Sequence, residues 1–172
     1  LSGTRSGNVS LMAEGNLTAG TLSASSQSGN AGTLTLSAGN SGIGNINVGN
    51  ITATSDGVGG FGGHILSTTP GITTIGAVDV SSNATTGLGG DITVVTGTSG
   101  TPRAVAQSGL LSIGDVDTSG DTRGGFVVLS NLGTGGGITT GDLLTSASGV
   151  NGRGGSIGIV GQVMGHHGSV CL

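Results

Sequence analysis

Apolar residues recur at alternate positions along this chain in short bursts, each opened by a glycine. The segments GNVSL, GTLTL, GHILS, GDITV, GFVVL and GSIGI begin at Gly7, Gly32, Gly63, Gly90, Gly125 and Gly155. Their third column is aliphatic throughout: Val9, Leu34, Ile65, Ile92, Val127 and Ile157. Their fifth column is Leu11, Leu36, Ser67, Val94, Leu129 and Ile159, with Ser67 the one exception. A period of two belongs to a strand with one buried face.

A longer block alternates with this short one. GNINVGNITATS (Gly44 to Ser55) aligns without gaps on four other segments, which begin at Gly15, Gly71, Gly109 and Gly136. Its sixth column is Gly20, Gly49, Gly76, Gly114 and Gly141. Its eighth is Leu22, Ile51, Val78, Val116 and Leu143, and its eleventh is always Ser or Thr. The sixth-column glycine divides the block into two strands, at a corner needing positive φ or close backbone approach.

The combined period is roughly 30 residues, in the range of solenoid repeats. The chain therefore reads as one all-β domain over residues 1–172, a parallel β-helix of about 5–6 coils with three short strands each. Coils stacked at about 4.8 Å bring like columns together, so the aliphatic columns become core ladders. Gly- and Asn-rich stretches between blocks read as surface loops. The longest, Thr96 to Gln107, contains Pro102, which cannot donate to a ladder, and is expected to bulge outward. Pro70 is expected at a corner. The tail after the last short block has no matching long block, so the final coil is expected to be incomplete. Such an end leaves open strand edges suited to end-to-end stacking with another copy. The chain begins at Leu1 without Met, which suggests a processed product or a piece of a longer array.

Composition sharpens this picture. The 40 glycines would suit disorder, but 33% of the chain is hydrophobic and falls in register. A net charge of −4, four scattered arginines and no lysine argue against nucleic acid. Phe61 and Phe126 are the only aromatics. No apolar run is long enough for a membrane-spanning helix. Cys171 is the single cysteine, so no intrachain disulfide forms.

Candidate chemistry is sparse. Asp115, Asp117 and Asp142 approach one another if long blocks stack, and are weak candidates for holding Ca²⁺. Paired carboxylates also serve glycoside hydrolysis, but the basic and aromatic residues that accompany such sites are nearly absent. No enzyme activity and no cofactor are expected. His166 and His167 are adjacent, and side chains of neighbouring residues in an extended chain diverge. Asn8, Asn16, Asn50 and Asn83 lie in glycosylation sequons, though asparagine after a corner glycine also suits a hydrogen-bonded ladder.

The alternation of GGDITVV-like and GNINVGNITATS-like blocks resembles the repeat regions of filamentous haemagglutinin-like proteins, over nearly the whole chain. That resemblance implies a right-handed parallel β-helix, export, and a role as adhesin, fibre or stalk at the bacterial cell surface. It supplies no catalytic residues. The expected partners are further copies of the chain stacked end to end, and a surface receptor or glycan. The alternative reading is a carbohydrate-binding or polysaccharide-cleaving β-helix with a cleft lined by Asp115, Asp117 and Asp142.

Overall fold

The computed structural model describes residues 6–39, 44–97, 109–133, 136–163 and 170–171, and these contain no helix. Their strands, numbered in chain order, form three parallel sheets. The first sheet holds β1 (Val9–Met12), β4 (Thr33–Ser37), β7 (His64–Thr69), β10 (Asp91–Thr96), β13 (Phe126–Asn131) and β16 (Ser156–Val160). The second holds β2 (Leu17–Ala19), β5 (Ile46–Val48), β8 (Thr73–Ile75), β11 (Leu111–Ile113), β14 (Gly137–Thr140) and β17 (Gln162–Val163). The third holds β3 (Leu22–Ser23), β6 (Ile51–Thr52), β9 (Val78–Asp79), β12 (Val116–Asp117), β15 (Leu143–Leu144) and β18 (Val170–Cys171). Each coil visits the three sheets in turn, so the chain is a β-solenoid. Coil one carries β1–β3, coil two β4–β6, and so on.

The short blocks form the first sheet and the long blocks the other two. Register follows the sequence columns. Val9, Leu34, Ile65, Ile92, Val127 and Ile157 pair in succession. So do Leu22, Ile51, Val78, Val116 and Leu143. These ladders fill the interior between the sheets, and most of their members are buried. Val9, Leu22 and Ile157 are only half-buried. They lie in coils one and six, where a single neighbouring coil covers them. Each fully buried Leu, Ile or Val contributes roughly 1.5–3 kcal/mol.

The corner glycines resolve in favour of close approach. Positive φ among the described glycines occurs at Gly39, Gly59, Gly97 and Gly161, and at none of the five corners. A Cβ on Gly114 would instead lie 2.9 Å from the Ala77 nitrogen of the coil below. Ser67 stays inside the core despite breaking the aliphatic column. It is fully buried, and its hydroxyl has no partner.

Two expectations change. The tail does not abandon the solenoid: Gln162 and Val163 pair with Gly137 and Ile138, and Val170 and Cys171 pair with Leu143 and Leu144. Val163 and Val170 continue the aliphatic columns of Ile138 and Leu143, but the pairing offset is two residues longer at Val170 than at Val163, so an alignment without gaps passes over them. Thr96, assigned to the outward loop, instead ends β10 and is buried, with its hydroxyl donating to Thr73 Oγ1 at 2.6 Å. Gly97 follows at φ 77, and the rest of the 96–107 insertion lies outside the described residues. Pro70 is buried just after β7, and His64 opens that strand on the exposed side.

Candidate functional site

Two surface features gather most of the charged residues among those described. The first lies over the third sheet. Its outer columns are the seventh and ninth of the long block, which alternate with the buried eighth. The seventh contributes Asn50, Ala77, Asp115 and Asp142, and the ninth Thr52, Asp79, Asp117 and Leu144. Together with Ile51, Val78 and Val116 they line a groove of about 440 Å³. The structure thus brings Asp115, Asp117 and Asp142 to one face, with Asp79, which shares the ninth column, directly paired with Asp117.

These carboxylates are already tied into the fold. Asp115 Oδ1 accepts the backbone N–H of Asp142 at 3.0 Å. Asp117 Oδ1 accepts that of Ser119 at 2.8 Å. Asp79 Oδ1 accepts both the N–H and the hydroxyl of Ser81, at 3.0 and 2.7 Å. Among the described residues no group of three or more His, Cys, Asp or Glu is arranged to hold a metal ion. His166 and His167 lie outside the described residues.

The sequon asparagines are all exposed, and all four bridge coils. Asn8, Asn16 and Asn50 accept, through Oδ1, the N–H of Thr33, Asn45 and Ala77 at 3.0 Å each. Asn45 does the same for Ile72, and Asp91 for Phe126. Main-chain pairing lapses where the chain turns a corner, and these side chains satisfy the N–H groups left there. Asn83 differs: its Nδ2 donates to Asp56 Oδ1 at 3.2 Å.

The second feature is a column that sequence reading missed. Phe61, Leu88, Arg123 and Arg153 stack one per coil through parallel bridges. The signal was present: each immediately precedes a Gly-Gly pair. The glycines are needed because a Cβ on Gly62, Gly89 or Gly124 would collide with the carbonyl of Val80, Thr118 or Thr145. Phe126, at the start of β13, completes the cluster. The Arg123 guanidinium carbon lies 4.4 Å from the centre of its ring, a cation–π distance. Phe61, Leu88, Asp91, Arg123 and Phe126 border a groove of about 180 Å³. Both aromatic rings and two of the four arginines therefore share one ridge.

No family model, curated protein or solved structure matches this sequence. The described residues show a β-solenoid whose outer polar side chains serve mainly to join one coil to the next.

Proposed function

We propose that the chain is the shaft of an extracellular fibre, stalk or adhesin at a bacterial cell surface, in the style of filamentous haemagglutinin-like repeats. One observation carries this reading: three parallel sheets run in register through successive coils. A continuous ladder on three sides makes a stiff rod, and its length grows with each added coil. The corner polar columns support it, because among the described residues their side chains bond one coil to the next. The low charge and the lack of lysine suit an exported structural segment with no enzymatic role. End-to-end stacking of copies would extend the rod into a filament.

Surface labelling and protease shaving of the source cells, followed by electron microscopy, test this reading. Accessible protein on projecting rods is expected. Protein found only inside intact cells would refute it. For the filament variant, particle length should rise with concentration, and short rods of constant length would remove it.

The second reading, a carbohydrate-binding β-helix, is favoured by the acidic groove over the third sheet. Carboxylates along a groove can accept hydrogen bonds from sugar hydroxyls. A glycan array should then give signals that Asp117→Ala abolishes, and a blank array would end it.

A further inference from the structure

We propose that Asn8, Asn16 and Asn50 carry N-linked sugar, attached at the amide nitrogen that their coil-to-coil bonds leave free. This goes beyond the shaft reading and places a modification on the rod surface. Bridging and modification are not alternatives, because they use opposite ends of one amide. Each Oδ1 accepts a backbone N–H of the next coil at 3.0 Å. A backbone N–H can only donate, so the atom facing it is the oxygen, and Nδ2 lies on the other side of the planar group. Among the described residues none of these three Nδ2 atoms has a hydrogen-bond partner. All three asparagines are exposed.

The strand period completes each sequon on the surface. Asn8, Asn16 and Asn50 stand immediately before β1, β2 and β6. The next residue, Val9, Leu17 or Ile51, turns inward, and the hydroxyl residue after it, Ser10, Thr18 or Thr52, returns to the outer face. Asparagine and hydroxyl, the two parts of the acceptor sequence, therefore meet an approaching enzyme on one face. Asn83 differs on both counts. Its Nδ2 is bonded to Asp56, and it lies in the turn between β9 and β10. Asn45 makes the same bridge, to the Ile72 N–H at 2.7 Å, but Asn47 stands where the hydroxyl residue is needed. In coil four Asp91 and Asp115 take over the accepting role. A carboxylate bridges coils in the same way and offers no nitrogen, so the sugar belongs to coils one and two.

In the transfer, Nδ2 bonds to the anomeric carbon of a sugar activated on a nucleotide or a lipid carrier. The bond from that carbon to the donor's phosphate oxygen breaks, and the phosphate leaves with the electron pair. Nδ2 gives up one proton. Oδ1 is untouched, so the bridge to the next coil survives.

Intact mass and peptide mapping of the chain isolated from its source cells test this. Sugar is expected on Asn8, Asn16 and Asn50, and not on Asn45 or Asn83. Single-sugar increments would identify a nucleotide-linked donor and one fixed oligosaccharide a lipid-linked donor; either supports the proposal. Ser10→Ala, Thr18→Ala and Thr52→Ala should each lose one modified site while keeping the bridging asparagine. Asn47→Thr should gain a site at Asn45. Threonine suits that position, since Thr18 and Thr74 flank it in register. The sugar-bearing chain and one made in a host without the transferase should share a thermal midpoint, because the bridges are retained. A chain unmodified at all three sites overturns the proposal, as does sugar on Asn83 alone. A midpoint lowered by the sugar, or no gain from Asn47→Thr, overturns the geometry on which it stands. Unmodified chains on projecting rods would leave the shaft reading intact, whereas modified chains held inside intact cells would refute that reading and not this one.

Discussion

Gly20 and Gly114 occupy the same column and differ in what lies below them. A Cβ on Gly20 would meet nothing within 4 Å, whereas one on Gly114 would press on the Ala77 nitrogen of coil three. Gly114→Ala should therefore lower stability by about 1–3 kcal/mol. Gly20→Ala should be neutral, or stabilising by up to ~1 kcal/mol through the unfolded chain. Urea melts of the two variants decide this, and equal losses would show that corner glycine answers to something other than stacking. A second residue carries strain. Gly59, Thr86 and Asn151 each take the third place of a β-turn at positive φ, at 68°, 62° and 68°. The turns are closed by Gly60, Gly87 and Gly152, whose N–H groups donate to Gly57, Ala84 and Gly149. Glycine and asparagine tolerate that conformation, while a β-branched side chain resists it. Thr86→Gly is expected to raise the melting midpoint, by roughly 0.5–1 kcal/mol of stability. A lower midpoint would mean that the threonine side chain makes a compensating contact.

Strands short enough to hold two or three residues gain their order from neighbours, so element stability depends on what faces what across the ladder. The β9–β12 pair sets Asp79 against Asp117 on the outer face. Asp117→Asn retains the acceptor for the Ser119 N–H and removes one charge. It should stabilise the chain by roughly 0.2–1 kcal/mol at low ionic strength, and the gain should fade in molar salt. A gain that persists in salt would point to packing instead. This is also the scale at which the sequence was most informative. Strand identity and register followed from aliphatic columns, because parallel stacking puts like residues together. The first strand of coil six was legible in GSIGI, but its other two were hidden, because the two extra residues between Val163 and Val170 break the ungapped alignment. Thr96 was misplaced because a buried threonine with a hydroxyl partner looks polar on paper. The acidic groove was partly readable from Asp115, Asp117 and Asp142. Asp79 joined them through the ninth column. The arginine ridge went unread because its common feature is the Gly-Gly pair that follows, not the residue itself.

A rod in which each coil touches chiefly its neighbours should tolerate loss of a whole coil better than loss of part of one. Removing residues 44–70 brings Gly71 into the place of Gly44 and keeps every column aligned. That chain should fold and unfold cooperatively, by circular dichroism, with a β spectrum like that of the parent. Removing residues 44–57 shifts the columns and should leave an unfolded or aggregated product. If both deletions behave alike, the coils are not interchangeable units. The side-chain bridges add a sense of direction to this rod. At Asn8, Asn16, Asn45, Asn50, Asp91 and Asp115 the accepting oxygen belongs to the earlier coil and the donated N–H to the later one. A finished coil thus holds out a set of fixed acceptors toward the next stretch of chain. A polypeptide delivered amino end first would meet a prepared template at each step. One delivered in reverse would have to order its acceptors after the backbone had arrived. The backbone ladder bonds run both ways along the rod, and Thr86 N–H to Asp121 runs in reverse, so this polarity belongs to the corner asparagines and aspartates.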